Sequence, residues 1–342
     1  MKCVWVLVAV LALGLACGQP APVAPAGSSA PAAPAAGPAP RPRTALVSKT
    51  ALAWPLLIAQ SQGFFAQAGV EPEITYISTA ANLVQQLGSG SLDIGQVDAA
   101  ALIRAAEKGA PVKFVSGGIS AALYRLMGQP DVKAAADLRG KTITVDSPTG
   151  QPKYMTQLLL QTQGVGPSEY SLVFSGSTTD RYSQLRSGAV AAAILTQPLD
   201  LRAEAEGYTM LGDIADVLTP WFFNAVEVNT DWAPRNEDTV VRFLRAMVRG
   251  ADFLYSNRAE AVQVLVQATD VPTDEAEKTY ALYLRHKAVP ERLAISDDAI
   301  QRVLAWMVEV GDFKEAPAPG KYVDRSYLEK ATRPQCCSPS GE

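Results

Sequence analysis

The middle of this chain contains no cysteine. All four cysteines of the 342-residue sequence, Cys3, Cys17, Cys336 and Cys337, lie near its ends, which excludes a disulfide framework or a cysteine-ligated zinc site between them. The only histidine, His286, falls late in a predicted helix without a discernible serine or cysteine partner, so we expect no catalytic role for it. We predict no metal and no cofactor. With 30 Lys and Arg against 34 Asp and Glu and no basic block, a nucleic-acid partner is also not expected.

The sequence also lacks an apolar run long enough to cross a membrane. The run from Val4 to Leu15 has twelve residues, whereas a spanning helix needs about 20. With Lys2 before it and small residues after it, the run is typical of a cleaved export signal at residues 1–16. Gly14 to Cys17 is similar to the bacterial lipoprotein box, which favours a lipid anchor at Cys17; cleavage with Cys17 incidental is the alternative. We therefore expect an exported protein, in the periplasm or at the outer face of the cytoplasmic membrane.

Residues 17–42 are predicted to be a linker. Residues 18–42 hold eight prolines and nine alanines and almost no large apolar side chain, so they cannot bury enough surface to offset the cost of ordering. Pro-rich chain is semi-extended, and this segment could reach roughly 75 Å. It could hold a folded domain away from a membrane surface.

From Thr44 onward, strand-like segments alternate with helical ones. Strands are predicted at Thr44 to Ser48, Glu73 to Ile77, Leu92 to Val97 and Val112 to Ser116, and helices at Trp54 to Ala68, Ala80 to Leu87 and Ala99 to Lys108. Such alternation predicts an α/β fold with a mainly parallel sheet flanked by helices.

This pattern occurs a second time. The segment Ala68 to Pro72, with the strand and helix that follow it, is echoed by Gln163 to Pro167, a strand at Ser171 to Phe174 and a helix from Thr179. A period this long, roughly 95 residues, indicates two similar lobes rather than a solenoid. Ligands of open α/β sheets bind beyond the carboxyl ends of the strands, so we expect a cleft between the lobes, lined by the loops that follow the strands.

The C-terminal third is predicted to return to the first lobe. Trp221 to Val228 is a strand-like crossing, and helices follow at 239–255, 258–267, 273–285 and 296–310, with Thr273 and Ser296 as caps. These elements predict lobe 1 at 43–118 and 214–331, lobe 2 at 119–213, and a flexible tail at 332–342 that holds Cys336 and Cys337. The crossings near Gly117-Gly118 and Trp221 to Val228 would act as the hinge.

The segment Leu138 to Gly164 is the clearest candidate for a ligand-binding unit. Thr142 to Val145 is predicted to be a strand, Asp146 to Gly150 a tight turn, and Gln151 to Gln163 a helix. A helix start directs free N–H groups and a positive dipole end at one point, which suits a small polar or anionic group. Capping of the helix is the alternative role for such Ser and Thr residues.

Four motifs resemble those of one branch of bacterial solute-binding proteins of ABC importers. They are Gly63 to Val70, Leu87 to Ile94, Leu138 to Val145 and Val323 to Ala331. The branch binds nitrate, sulfonates, taurine and thiamine pyrimidine precursors, and the likeness covers about residues 44–331; Ala191 departs from the aspartate usual in the family. The resemblance implies a two-lobed periplasmic-binding-protein type II fold and a sulfonate-like, pyrimidine or aromatic vitamin-precursor solute. It also implies a permease and an ATPase as partners.

In this family the loops after the strands contact the solute. Carried onto this chain, the implied residues are Ser48, Lys49, Thr50, Trp54, Ser78, Thr79, Asp98 and Ala99 in the first lobe, Asp146, Ser147, Thr149, Gly150, Thr196 and Gln197 in the second, and Trp221, Phe222 and Asn224 near the return crossing. The three aromatic residues could stack on a flat ligand or belong to the core. Asp98 and Asp146 could bind an amine or cap helices, whereas Lys49 could pair with an acid, so the charge of the solute stays open.

Three functions remain possible at this point. The first is a non-enzymatic binding protein that closes on one solute. The second is an enzyme, since a eukaryotic thiamine-pyrimidine synthase resembles the same family; that enzyme uses a cysteine-rich motif and a histidine, which the predicted loops here do not contain. The third is a ligand-sensing partner of a receptor.

Overall fold

A computed structural model describes residues 38–218 and 220–333 of the chain. The predicted signal peptide, Cys17, most of the linker and the two C-terminal cysteines lie outside these residues. Within them, no helix combines the length and the apolar composition needed to cross a membrane.

The first sheet contains five strands in the order β2-β1-β3-β10-β4. Their bounds are β1 Arg43–Leu46, β2 Glu73–Tyr76, β3 Ile94–Asp98, β4 Val112–Gly117 and β10 Asn224–Asn229. Strand β1 runs parallel to β2 and β3, while β10 is antiparallel to both of its neighbours, β3 and β4. The β-branched and small apolar residues of these strands favour extended chain, and nearly all of β3, β4 and β10 is buried.

The second sheet repeats this arrangement with the order β7-β6-β8-β5-β9. Its strands are β5 Tyr124–Gly128, β6 Thr142–Val145, β7 Ser171–Phe174, β8 Ala192–Thr196 and β9 Thr209–Asp213. Strand β6 is parallel to β7 and β8, and β5 is antiparallel to β8 and β9. Each sheet therefore contains one antiparallel strand, contributed just after the chain crosses from the other sheet. We call the part built around each sheet lobe 1 and lobe 2.

Helices cover both sheets. They are α1 Trp54–Ser61, α2 Phe64–Gln67, α3 Ala80–Gly88, α4 Ala99–Glu107, α5 Gln151–Thr162, α6 Thr178–Arg186, α7 Leu199–Ala205, α8 Glu237–Ser256, α9 Arg258–Thr269, α10 Thr273–Arg285, α11 Asp297–Glu309 and α12 Ser326–Thr332. The α/β architecture predicted from the sequence is confirmed, and each sheet is mainly parallel with one antiparallel strand.

Several local predictions need correction. The single helix expected from Trp54 to Ala68 is two helices, α1 and α2, because the chain turns at Gly63, which has a φ of 68°. The strand expected at Trp221 to Val228 begins only at Asn224. Thr273 is the first residue of α10 rather than its cap, whereas Ser296 caps α11 by accepting a hydrogen bond from the Ala299 N–H.

The C-terminal helices pack against lobe 1. Helix α8 buries one face, from Val240 to Leu254, in the same core cluster as α1 and α2. The indole of Trp54 is fully buried there and donates a hydrogen bond to the Ala261 carbonyl at 2.9 Å. The residue bounds of the two lobes stay a prediction.

The two crossings between the lobes run side by side. The N–H groups of Trp221 and Phe223 donate to the carbonyls of Ser120 and Ile119 at 3.2 and 3.1 Å. The Ile119 N–H in turn donates to the Asn224 side chain at 2.7 Å. These bonds hold the two crossing segments together as one narrow connection.

Candidate functional site

A cavity lies between the carboxyl ends of the strands of the two sheets. Its volume is about 100 Å³, which corresponds to roughly seven to ten water molecules. The predicted residues that line it are Ser48, Ser78, Thr79, Asp98 and Asn224 from lobe 1, and Asp146 and Ser147 from lobe 2. The cavity can therefore enclose a small organic molecule between the lobes.

Three helices begin at this cavity, and a lining residue caps each of them. Thr79, Asp98 and Ser177 accept hydrogen bonds from the first turns of α3, α4 and α6, respectively. The capping role that the sequence offered as an alternative for Asp98 is thus confirmed, and Thr79 has the same role. It does not exclude solute contact, because a carboxylate or hydroxyl oxygen can accept more than one hydrogen bond.

Asp98 stands where strand β3 ends, and its Oδ1 is already occupied. It accepts from the Ala101 N–H at 3.0 Å and from the Gln151 side-chain amide at 3.1 Å. The Ala100 N–H also bonds to this carboxyl, and within the described residues Gln151 is its one side-chain donor. Burial raises the pKa of this carboxyl, while the bonds from Gln151 and Ala101 act in the opposite direction.

Asp146 holds the equivalent position after β6 in lobe 2. It accepts from the Lys153 N–H at 3.1 Å and from the Ser147 hydroxyl at 3.2 Å. Burial raises its pKa to about 6; the Arg181 guanidinium opposes this shift and the Asp98 carboxylate adds to it. Gly150 lets this side chain fold back over the turn, since a Cβ there would lie 1.6 Å from Asp146 Oδ2.

Arg181 is a buried cation in the cavity wall that was not predicted from the sequence. It is 2 % exposed; its Nε donates to the Ile194 carbonyl at 2.7 Å and its Nη1 to the Gly176 carbonyl. The arginine sits in the first turn of α6, after a strand that was predicted. Its place in the first turn of the helix of a strand–turn–helix unit is the feature of the sequence that could have identified it as a cavity residue.

Gln151 is a second cavity-side residue that was not singled out from the sequence. It is fully buried at the start of α5, and its amide donates to Asp98 and, at 2.9 Å, to the Phe223 carbonyl. Its Oε1 accepts from the Trp221 indole. A lobe 2 side chain thus bonds to a strand end of lobe 1 and to the return crossing.

Other contacts also join the lobes. The Ala51 N–H donates to the Gln197 carbonyl at 3.2 Å, and Arg104 donates to the Thr149 carbonyl at 2.6 Å. Gly176 of lobe 2 approaches the backbone of Ser78 in lobe 1. These contacts describe a closed arrangement of the lobes.

The remaining predicted residues lie outside the cavity lining. Trp54 is in the core, and Phe222 packs edge-to-face on Phe114 at 5.3 Å. Trp221 stacks on Tyr154, and of the three consecutive aromatic residues it is Phe223, rather than Trp221 or Phe222, that reaches the cavity. Lys49 and Thr149 are exposed, and Thr50, Ala99, Gly150, Thr196 and Gln197 are buried beside the lining without forming part of it. The assignment of the proposed residues to solute binding stays a prediction.

No group of three or more His, Cys, Asp and Glu side chains within residues 38–218 and 220–333 is placed to hold a metal ion. His286 follows the last residue of α10 and does not line the cavity.

Residues 52–261 match the family model described as NMT1/THI5 like. The chain belongs to the NMT1/THI5-like family. It is 24% identical over 214 residues to a protein of Brachyspira hyodysenteriae named as an ABC transporter periplasmic binding protein, a match that covers 58% of this chain and 61% of the relative. A yeast relative, the 4-amino-5-hydroxymethyl-2-methylpyrimidine phosphate synthase THI12 of Saccharomyces cerevisiae, is 22% identical over 225 residues, covering 60% and 64%. This NMT1/THI5-like chain thus spans less than two thirds of these relatives.

Solved structures share the fold of this NMT1/THI5-like protein. The alkanesulfonate-binding protein SsuA of Xanthomonas axonopodis pv. citri, bound to MOPS, aligns with a TM-score of 0.70 at 18% identity, over 85% of this chain and 99% of that one. The periplasmic nitrate-binding protein NrtA of Synechocystis PCC 6803 aligns with a TM-score of 0.69 at 15% identity, over 85% and 88%. The fold is that of the periplasmic binding proteins.

Proposed function

We propose that this chain is the extracytoplasmic solute-binding protein of an ABC importer, which captures one small organic molecule between its lobes and delivers it to a permease. The observation that carries the proposal is the cavity itself. Its walls come from the strand ends of both sheets, and polar groups of both lobes converge on it. A small, largely preformed site between two lobes is the usual position of a ligand in such folds.

Closure would proceed by a change in the angle between the lobes. The two crossings form one narrow connection. The contacts between the lobes include hydrogen bonds from Ala51, Arg104 and Gln151 and the Arg202–Glu275 ion pair at 3.6 Å, which opening would break. A solute that touches both walls binds the closed arrangement better than the open one and shifts the population towards it. The permease would then recognise the closed, loaded form.

The proposed partners and location follow from the same role. The permease and ATPase of an importer lie in and under the cytoplasmic membrane, so the binding protein must be exported. An anchor at Cys17 with the Pro-rich linker would keep it near the permease. The Brachyspira relative, named as a periplasmic binding protein of an ABC transporter, supports this role.

An enzyme is the second candidate, because the yeast relatives are named as synthases of a pyrimidine phosphate. The cavity lining, all within the described residues, includes neither histidine nor cysteine, the residue types that the resemblance would require. We therefore propose capture without chemical change. A soluble sensor that presents the same closed form to a receptor is a third candidate.

Native mass spectrometry of the purified full-length protein tests the proposal. We expect a bound small molecule at one per chain, released unaltered on denaturation and identified by its exact mass. Incubation of the protein with that molecule should yield no new product by liquid chromatography. Turnover of the molecule would replace the binding proposal with the enzymatic one.

A further inference from the structure

The charged groups of the cavity do not balance. Among its lining residues, the ionisable groups other than Tyr124 are two carboxyls, Asp98 and Asp146, and one guanidinium, Arg181. With all three ionised, the walls carry a formal charge of −1. An anionic solute would therefore add to an existing excess of negative charge.

The hydrogen-bonding groups are also unbalanced, in the same direction. Gln96 is 5 % exposed, and its buried Oε1 has no hydrogen-bond partner within the described part of the chain. Its orientation is fixed because the amide Nε2 donates to the Leu52 carbonyl at 3.3 Å, and reversing the amide would bring two oxygens together. This unpaired acceptor lies beside the Asp98 carboxyl, which also lines the cavity and receives a hydrogen bond from one described side chain, Gln151.

Arg181, in contrast, is already partly satisfied. Two backbone carbonyls, of Ile194 and Gly176, accept from its Nε and Nη1. Its charge also acts on Asp146, whose pKa it pulls downward. The guanidinium therefore serves in part as an internal counter-charge to one of the two carboxyls, and Asp98 is left without one inside the cavity.

From these three observations we infer that the cavity selects a compact organic cation of roughly ten non-hydrogen atoms, whose N–H groups lie between Asp98 of lobe 1 and Asp146 of lobe 2. The size follows from the cavity volume of about 100 Å³. Since the two carboxyls belong to opposite lobes, one cation that bonds to both would hold the cleft shut. The inference rests on the proposed function, since it assumes that the cavity is the capture site.

A matched pair of probes tests the sign of the charge. Benzamidine and benzoate have the same planar shape and size, but the first carries an amidinium with four N–H groups and the second a carboxylate. Isothermal titration calorimetry with the full-length protein is expected to give benzamidine an affinity at least about tenfold higher than that of benzoate. An equal or higher affinity for benzoate, or no benzamidine binding up to about 10 mM, would overturn the inference.

Three variants locate the interaction. Asp98→Asn and Asp146→Asn should each weaken benzamidine binding by about tenfold or more, and both keep an oxygen that can still accept the existing backbone hydrogen bonds. Asp131→Asn is the matched control, because Asp131 is exposed and does not line the cavity. An unchanged affinity in both cavity variants, with melting temperatures near that of the parent, contradicts the inference.

Two further outcomes separate the inference from the proposed function. If benzoate binds and benzamidine does not, capture between the lobes stands and only the charge assignment fails. If neither probe binds and native mass spectrometry finds no small molecule on the protein, both the cation site and the capture role are wrong.

Discussion

Gly176 offers a direct test of closure, because it touches the opposite lobe. It follows β7 with a φ of 65°, and a Cβ at this position would lie 2.9 Å from the Ser78 carbonyl oxygen. Real Cβ atoms essentially never come this close to a backbone atom. A Gly176→Ala substitution should therefore permit the open arrangement and oppose the closed one.

Two costs of this substitution can be separated. An alanine in the left-handed region costs about 1–2 kcal/mol, offset by about 0.4–1 kcal/mol from the stiffer unfolded chain. This first cost applies to the open and closed forms alike, and we expect a loss of about 1 kcal/mol in the free energy of unfolding. The crowding against Ser78 applies only to the closed form and, at the about 1–3 kcal/mol typical of overpacking, weakens solute binding about 5- to 150-fold.

Gly188 provides the matched control. It also has a positive φ, 72°, and lies in the same lobe, but no atom of a neighbouring residue would stand within 4 Å of a Cβ at this position. Gly188→Ala should lose similar stability by thermal unfolding while its solute affinity by calorimetry stays at the parental value. Equal affinities for the two variants would refute the argument that the approach of Gly176 to Ser78 forms on closure.

Three other predictions follow from the site. The pKa of Asp146 is about 6 in the folded chain and about 3.9 in an unfolded one, so the folded state binds an extra proton between these values. This carboxyl should therefore lower the unfolding free energy without solute by up to about 3 kcal/mol from pH 4 to above pH 6. Chemical denaturation of Asp146→Asn should show a fall smaller by that amount, while Asp200, whose pKa burial also raises to about 6, keeps its own contribution. Trp54→Phe should lower the melting temperature, because a core hydrogen bond is lost, and leave the solute affinity unchanged. A large loss of affinity at constant stability would instead show that Trp54 contacts the solute. Gln151→Leu removes a charge-assisted bond to Asp98, worth about 1.5–3 kcal/mol, and should weaken solute binding about tenfold or more by calorimetry. The control Gln161→Leu, at an exposed position on the same helix, should leave solute binding unchanged.

The sequence predicted the parts of the fold that depend on local pattern. The strands around β1, β2, β6 and β7 and the helices that follow them were recognisable because apolar residues recur at a fixed period and glycines end the helices. The sequence pattern does not identify β5, β8 and β9. Strand β5, the antiparallel strand of its sheet, follows the crossing from lobe 1, and a crossing leaves no periodic signal in the sequence.

Several of the residues predicted at the strand ends lie at the cavity, whereas Trp54, Trp221 and Phe222 do not line it. Asp98 and Asp146 line the cavity because the residue after a parallel strand must emerge at the same edge of its sheet. Which face an aromatic takes near the return crossing depends on packing: Trp221 turns towards Tyr154 and Phe222 towards Phe114. Neither choice can be read from three consecutive aromatic residues.

The same carboxyls that would recognise a solute also explain why closure should wait for one. In the closed arrangement Asp98 and Asp146 are half-buried, and the partial loss of solvent raises the pKa of each, so their ionised forms are penalised there. Bonds across the cleft, such as those from Ala51 and Gln151, contribute about 1 kcal/mol apiece and act against that penalty. A cation between the two carboxyls would stabilise both ionised forms, so under the cation proposal a bound solute favours the closed arrangement.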